Sequence, residues 1–406
     1  MYLSSMTISG FRQFGTDNKS LTIPFNKGIT ALVGRNDSGK TAVIDAIRLV
    51  LLTRDHEYFR IQPEDFHINS EGQVRTIHIH CTFSDLSEEE KGSFLEYLTY
   101  EGGKVNLHIH WTATRSLTDG LGRRQRLDIS VKCGKDGSGP SIETAARELL
   151  AAAYLRPLRD AEREMSAGRN SRLSQILANL ETVKQGEPFA KEILPNISHE
   201  TIKTLSLLGF ADFFAHHIQE HQGISDAQKN INDRYLKNLS VESENISGEI
   251  NFVSSLSDDF RLRQLLERLE LISGNNRGSL GLGSNNLLFI GCELLLLGSE
   301  EGFPLLLIEE PEAHLHPQRQ LRLMEFLKKA AEGGDDTGQP VQVILSTHSP
   351  NLASRLPLAS LILLADKTAF PLAPEYTKLT NNDYSFLERF LDVTKANLFF
   401  AHGVII

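Results

Sequence analysis

The sequence has few cysteines and no long apolar run. Three cysteines, at positions 81, 133 and 292, lie far apart and form no CxxC pair. This argues against disulfides or a zinc–thiolate site, and it fits the reducing cytoplasm in which we expect the protein to reside. No apolar stretch approaches the roughly 18 residues that a membrane span needs, so we expect no membrane partner. The start, MYLSSMTISGFRQFG, lacks the basic and apolar regions of a signal peptide.

Positive charge is also in short supply. Lysine and arginine number 42 against 52 aspartate and glutamate residues, which gives a formal net charge of −10. Nucleic-acid-binding proteins are often basic, so any contact with DNA must use local patches against an unfavourable overall field. The best basic cluster is GRRQR at 122–126. Such a run more often forms a charged hairpin turn than a DNA contact.

Hydrophobic patterning divides the chain into three parts. Alternating runs such as VRTIHIHCTF (74–83) predict antiparallel strands with one wet face, and the pattern turns mostly helical from about Ser141 to Gly274. Near-continuous apolar runs then predict strands buried on both faces. We therefore predict an α/β core in two pieces, 1–160 and 248–406, around a helical insertion at 161–247. That insertion is polar with sparse apolar anchors, so it forms an exposed arm or a helix pair against a partner.

A glycine loop, GRNDSGKT, lies between the apolar run ITALV and a helical pattern at 40–53. The GxxxxGK[ST] spacing after a strand and before a helix predicts a cradle for nucleotide phosphates. Its main-chain N–H groups and the helix N-terminus hold phosphate oxygens, the lysine reaches the β and γ phosphates, and the hydroxyl binds Mg²⁺. The bland alternative is a glycine turn with an exposed lysine. The predicted ATP-binding residues are Gly34, Arg35, Asn36, Asp37, Ser38, Gly39, Lys40 and Thr41.

Two acids follow the apolar run LLLI in the segment LLLIEEPEAHLHP. In open α/β sheets the chemistry lies beyond the carboxyl ends of the strands. Successive side chains of a strand point in opposite directions, so we assign Glu309 to Mg²⁺ and Glu310 to the general base that orients water. The role of Glu312 stays open. A solvated acidic turn after a core strand is the alternative.

The segment EEPEAHLHP resembles the ABC-type ATPases of the OLD (overcoming lysogenization defect) family, which are cousins of SMC and RecF proteins. The resemblance implies an α/β, SMC/RecF-like ABC-type P-loop ATPase head with mixed sheets and an inserted helical dimerisation arm. It also implies a switch histidine, His348 in VILSTHSP, and a signature loop with Ser279 and Gly281 that acts on the ATP of the partner subunit. Gln62 in RIQPEDFH is a candidate for the Q-loop, with a polar loop as the equal alternative.

The same resemblance implies a function. Two copies would close on ATP and Mg²⁺ and loosen after hydrolysis, as a homodimer or a higher homo-oligomer. In the OLD family this switch governs a Toprim nuclease, part of the chain or separate, that acts on phage or foreign DNA. This chain ends at DVTKANLFFAHGVII, where the nuclease is expected to begin, so we expect ATP hydrolysis without DNA cleavage. The alternatives are a RecF/SMC-like clamp ATPase and an ATPase scaffold for a partner effector.

Two histidine patterns suggest metal sites that we do not favour. HIQEH at 217–221 fits the HxxEH zinc pattern, but a third ligand is not apparent and a polar helical arm explains it better. HIH occurs twice, with His78 and His80 in one run and His108 and His110 in the other. Alternation places each pair on one strand face, where a wet sheet surface is the favoured reading over a metal site.

Overall fold

The computed structural model falls into two compact units, residues 1–161 with 280–406 and residues 162–279. The sequence-predicted boundaries at 161 and 248 stay predictions. None of the helices described is both long and apolar enough to cross a bilayer. The structure describes residues 1–54, 59–115, 127–156, 167–168, 171–179, 181–190, 198–236, 257–269, 282–299, 303–313, 315–333, 339–391 and 399–400.

The strands of the first unit form two six-stranded sheets and one small hairpin. The first sheet is antiparallel in the order β2-β1-β6-β8-β7, with β9 also paired to β8. In chain order the strands are β1 Tyr2–Ser9, β2 Leu21–Pro24, β3 Ile29–Val33, β4 Ile68–Asn69, β5 Gly72–Gln73, β6 Thr76–Ser84, β7 Leu98–Glu101, β8 Lys104–Arg115, β9 Leu127–Cys133, β10 Ala153–Leu155, β11 Leu305–Glu309, β12 Gln342–Thr347, β13 Leu361–Ala365 and β14 Thr368–Pro371.

The second sheet has the order β10-β11-β12-β3-β13-β14. Its first five strands are parallel, and β14 pairs with β13 in an antiparallel hairpin. Every residue of β3, β11 and β12 is buried, which explains their near-continuous apolar sequences. Because the parallel strands share one direction, the ends of β3, β11 and β12 meet at one edge of the sheet.

The helices and short turns complete both units. In chain order the α-helices are α1 Lys40–Leu51, α2 Glu88–Ser93, α3 Thr144–Glu148, α4 Arg172–Asn179, α5 Glu181–Lys184, α6 His199–Thr204, α7 Leu207–Glu220, α8 Gln222–Asn230, α9 Asp258–Leu266, α10 Leu282–Ser299, α11 Pro317–Glu332, α12 Pro350–Ala353 and α13 Asn381–Phe390. A π-helix spans Ile231–Leu236. The 3₁₀ turns are Asp17–Lys19, Pro63–Asp65, Leu95–Tyr97, Leu358–Ser360 and Pro374–Tyr376.

Helix α1 lies at the centre of the first unit's core. It contacts β6 and β8 of one sheet and β11 and β12 of the other. Gln342 of β12 joins the sheets directly: its Oε1 accepts from the N–H of Leu3 at 2.8 Å, and its Nε2 donates to the carbonyls of Leu3 and Asn26 at 2.9 Å each. The buried amide thus satisfies three main-chain groups that would otherwise lack partners.

The sequence missed part of the second sheet. β10 lies within the stretch predicted as mostly helical, and no strand was predicted at β13 or β14. β10 has three residues, all buried, and is too short for any hydrophobic period to be recognised.

The second unit is helical where it is described. α9 packs against α4 and α7, and an ion pair joins Arg261 of α9 to Asp212 of α7. Exposed aromatic side chains lie along α7, with Phe210 at 41% and Phe214 at 59% exposure. The role of the insertion at 161–247 as a dimerisation arm stays a prediction.

Candidate ATP site

The glycine loop connects the end of β3 to the start of α1. Gly34 and Gly39 have φ of 147° and 104°, and Asp37 between them has φ of 61°. A Cβ on Gly39 would overlap the side chain of Gln13 and lie 2.7 Å from Cζ of Phe14. Only glycine allows this left-handed, crowded approach. The result is a curled loop at a helix N-terminus, which is the geometry that cradles phosphates.

Lys40 lies back across this loop. Its Nζ donates to the carbonyls of Gly34 at 2.8 Å and Arg35 at 2.6 Å, and the residue is buried. Burial lowers the pKa of Lys40 to about 8, against the opposing effect of the carboxylates of Glu310 and Glu312. The carboxylates that follow β11 therefore act electrostatically on the predicted phosphate-binding ammonium.

Thr41 and Glu309 meet directly. The Thr41 hydroxyl donates to Glu309 Oε2 at 2.8 Å, although the two residues are 268 positions apart. The other oxygen of Glu309 accepts from the Tyr154 hydroxyl at 2.7 Å. Burial raises the pKa of Glu309, and these two hydrogen bonds oppose that rise. A hydroxyl and a carboxylate, both hard oxygen donors, fit the ligand preference of Mg²⁺.

Glu310 does not continue the strand. β11 ends at Glu309, and Glu310 adopts φ of 46° while its N–H donates to the carbonyl of Ser346 at 3.0 Å. Glu310 therefore has a left-handed backbone outside the strand, and the prediction that strand alternation sets the directions of the two acids was wrong. The Glu310 side chain is 42% exposed, and its Oε1 lies 3.4 Å from His348 Nε2.

Glu312 anchors the end of β12. Its Oε1 accepts from the Thr347 hydroxyl at 2.8 Å and from the N–H of His348 at 2.7 Å. Burial lowers the pKa of His348, the Lys40 charge adds to this, and Glu310 opposes it. Glu312, whose role the sequence left open, thus fixes the main chain at His348, the predicted switch histidine.

A buried polar chain behind the site was not found from the sequence. Arg12 and Arg48 each donate to Asp45 at 2.8 Å, and the Arg48 guanidinium lies 3.8 Å from the centre of the Tyr154 ring. Asp45 and Arg48 are three residues apart in a mostly apolar helix. This spacing could have been used to predict an ion pair between them. No pattern in the sequence pointed to Tyr154, because β10 itself was not recognised.

Of the remaining predicted site residues, Gln62 reaches this polar chain through Asp65, which also binds Arg12. Gln62 is exposed at the start of a 3₁₀ turn, where its N–H donates to Asp65 at 2.8 Å. Its place in a Q-loop stays a prediction. Ser279 and Gly281 of the signature loop lie outside the described residues, as does the basic run 122–126.

The HIH histidines form a ladder on the first sheet. His78 Nε2 is 3.0 Å from His110 Nδ1, His80 Nε2 is 3.1 Å from His108 Nδ1, and the rings of His80 and His110 stack at 4.1 Å. Burial lowers the pKa of all four side chains, to about 3 for His80. His110 is buried, so this face is less wet than predicted. Among the residues that the structure describes, no group of three or more His, Cys, Asp or Glu is arranged to bind a metal ion.

A cavity of about 450 Å³ borders the glycine loop. It is lined by Gln13 and Phe399, by loop residues 35–38 and by residues 363–367 of β13 and the turn after it. Its size lies within the range of small-ligand sites. The loop, the acids and this cavity are all contributed by the first unit.

Comparison with known proteins agrees with this geometry. A family model described as "AAA domain" matches residues 5–273, and one described as "AAA domain, putative AbiEii toxin, Type IV TA system" matches residues 206–354. The chromosome partition protein Smc of Pyrococcus furiosus is 48% identical over 50 residues, which are 12% of this chain and 4% of that protein. The DNA replication and repair protein RecF of Oenococcus oeni is 23% identical over 360 residues, 81% of this chain and 90% of that protein.

Solved structures with similarity include an Smc head domain with an extended coiled coil from Pyrococcus furiosus, bound to the C-terminal domain of ScpA. It is 14% identical with a TM-score of 0.49 and covers 96% of this chain and 100% of that chain. The recombination mediator protein RecF is 13% identical with a TM-score of 0.39 and covers 91% and 97%.

The first family match covers more than half of the chain. With β3, the glycine loop and α1 in P-loop order, the predicted fold class of an α/β P-loop ATPase head with mixed sheets is confirmed, and the sequence relatives include Smc and RecF proteins. The predicted enzyme class, an ATP hydrolase, is confirmed with it. Membership of the OLD family stays a prediction. On these grounds the chain belongs to the AAA domain family.

Proposed function

We propose that this ATPase is an ATP-gated dimer switch that acts on DNA. The observation that carries the proposal is the hydrogen bond of 2.8 Å between Thr41 and Glu309. It brings the glycine loop and the strand-end acids, which are far apart in the sequence, to one point where Mg²⁺ and a triphosphate fit together. The cavity beside residues 35–38 leaves space for the rest of the nucleotide.

Each side chain then has a task. Lys40 binds the β and γ phosphates, and Thr41 and Glu309 hold Mg²⁺, which supplies charge neutralisation when bound. Glu310 is half-exposed and orients the attacking water as general base. His348 is kept mainly neutral at pH 7 by its lowered pKa and donates or accepts a hydrogen bond near the γ-phosphate.

The switch needs two copies of the chain. In this proposal the loop with Ser279 and Gly281 of one copy covers the nucleotide bound by the other. Hydrolysis removes that contact, so the closed dimer loses the differential affinity that held it together. The helical insertion holds the copies together or carries the movement outward.

Three settings for the switch are each favoured by a different observation. The match to RecF over 360 residues favours a DNA-repair or clamp ATPase without a nuclease. The segment EEPEAHLHP favours an OLD-type regulator of a Toprim nuclease in antiphage defence, with the nuclease linked or separate. The AbiEii-toxin description of the second family model suits a third setting, a scaffold for a partner effector.

Light scattering of Glu310→Gln tests the switch itself. This variant should keep ATP and accumulate the closed dimer. Unless the helical insertion already joins the copies, its mass should double when ATP and Mg²⁺ are added and not with ADP; if the insertion joins them, only the DNA affinity should change. The same preparation should bind duplex DNA more tightly with ATP than with ADP. A mass and a DNA affinity that are the same with either nucleotide would exclude the proposed switch.

A further inference from the structure

Tyr154 is the least expected neighbour of the proposed magnesium site. It comes from β10, the edge strand that pairs with β11, in register Leu155 to Ile308 and Tyr154 to Leu307. This pairing carries the Tyr154 hydroxyl to Glu309 Oε1 at 2.7 Å. With Thr41 on Oε2, each carboxylate oxygen of Glu309 accepts one hydrogen bond, and the plane of the carboxylate is fixed.

The tyrosine ring is itself held in place. The Arg48 guanidinium lies 3.8 Å from the ring centre, at a distance typical of a cation–π contact. Arg48 pairs with Asp45, and Asp45 also pairs with Arg12, which binds Asp65 at 2.8 Å. Arg48 and Asp45 are both less than 10% exposed, so these contacts are little screened by solvent.

We propose that Tyr154 is a positioning residue that holds the Glu309 carboxylate in the orientation that binds Mg²⁺. The inference rests on the proposed ATP site. The hydroxyl does not touch the reacting atoms; it fixes a ligand through one oxygen and leaves the oxygen beside Thr41 directed at the glycine loop. Hydrogen-bonding partners of metal ligands typically change metal affinity by about 10- to 100-fold.

Tyr154→Phe is the direct test. It removes the hydroxyl and keeps the ring under Arg48. With a fluorescent ATP analogue, we expect nucleotide affinity in EDTA to stay within about twofold of the unmodified protein, and the Mg²⁺ concentration for half-maximal gain in affinity to rise at least about 10-fold. A merely structural role would change both measurements together.

Tyr384→Phe is a matched control. Tyr384 is as buried as Tyr154, at 9% exposure, and its hydroxyl donates to the carbonyl of Leu372 at 2.7 Å. Its loss should lower the melting temperature as Tyr154→Phe does and leave the Mg²⁺ titration unchanged. An unchanged titration in Tyr154→Phe would overturn the inference alone. If the unmodified protein gains no nucleotide affinity from Mg²⁺, the proposed ATP site fails as well.

A labelled protein keeps the test independent of the folding of the phenylalanine variant. With 3-fluorotyrosine at position 154, the hydroxyl is retained and its ¹⁹F resonance reports on the contact with Glu309. We expect this resonance to move when Mg²⁺ is added to the ATP complex, and a label at position 384 to stay unmoved. A resonance at position 154 that ignores Mg²⁺ contradicts the inference.

Discussion

Glu310 Oε1 lies 3.4 Å from His348 Nε2, across the gap between the ends of two neighbouring parallel strands. The histidine comes from the end of β12 and the glutamate from the turn after β11. A movement of either side chain therefore changes the contact between them. The charge of Lys40 acts electrostatically on both. This pair is where water, γ-phosphate and switch residue are expected to meet.

Glu310→Gln should separate nucleotide binding from hydrolysis. The amide keeps the size of the side chain but cannot take a proton from water, so we expect turnover to fall by at least about 100-fold while ATP affinity stays within a few fold. Phosphate release and equilibrium ATP binding measure the two effects. Glu325→Gln, at an exposed position of α11, should change neither. Full turnover in Glu310→Gln would place the base elsewhere.

Lys40→Ala should weaken nucleotide binding strongly. The variant loses an ammonium that donates to two loop carbonyls and is positioned for phosphate, so we expect ATP affinity to fall about 10- to 100-fold. Equilibrium binding is the measurement, and Lys27→Ala removes an exposed lysine as the control. ATP affinity equal to that of the unmodified chain would mean that the loop is not the cradle.

Glu312→Ala should weaken both stability and turnover. The change leaves the Thr347 hydroxyl and the His348 N–H without their acceptor, at a cost of about 1–3 kcal/mol for each buried group. Glu312→Gln keeps an acceptor oxygen and should be milder. Melting temperature and ATP turnover of both variants, with the exposed Glu96→Ala as control, provide the check. Equal losses in the alanine and glutamine variants would speak against the hydrogen bonds as the cause.

Gln342→Ala should destabilise the contact between the two sheets. It leaves the N–H of Leu3 and the carbonyls of Leu3 and Asn26 without their buried partner, so we expect a loss of about 3 kcal/mol in the free energy of unfolding. Urea unfolding measures it, with the exposed Gln318→Ala as the control. A change below about 0.5 kcal/mol, as for an ordinary surface substitution, would show that the bridge contributes nothing.

The histidine ladder should make stability depend on pH. Folding lowers the pKa of His80 from 6.5 to about 3, so the unfolded chain binds more protons between those values. Stability is therefore full above about pH 6.5 and falls as the pH drops, by up to about 1.4 kcal/mol per pH unit for each such proton. His80→Asn should flatten the fall of melting temperature between pH 7 and 5. The control is His199→Asn, at an exposed helix start; an identical slope in both variants would contradict this account.

The sequence predicted the elements that carry strong local signals. α1, β11 and β12 follow from long apolar patterns, and the glycine loop follows from its spacing and neighbours. β10 has only three residues, and the apolar run LILLA of β13 was not recognised as a strand. Their positions depend on pairing with β11 and β3, which are remote in the chain.

The site was predictable where residue type and chemistry coincide. Lys40, Thr41 and Glu309 were named before the structure brought them together. The roles of Glu312 and Tyr154 depend on tertiary distances, since each acts through a hydrogen bond to a residue more than thirty positions away. The spacing of residues along the sequence does not indicate such long-range contacts.

The left-handed backbone at Glu310 has a consequence for how this chain can change. A φ of 46° is comfortable for glycine and costly for a residue with a Cβ, by about 1 kcal/mol or more. A glycine there would relax the turn and, in the proposed mechanism, remove the general base in the same step. Selection for thermal stability therefore favours glycine at position 310, and selection for ATP turnover favours glutamate. A variant library that is screened only for heat resistance should accumulate inactive proteins.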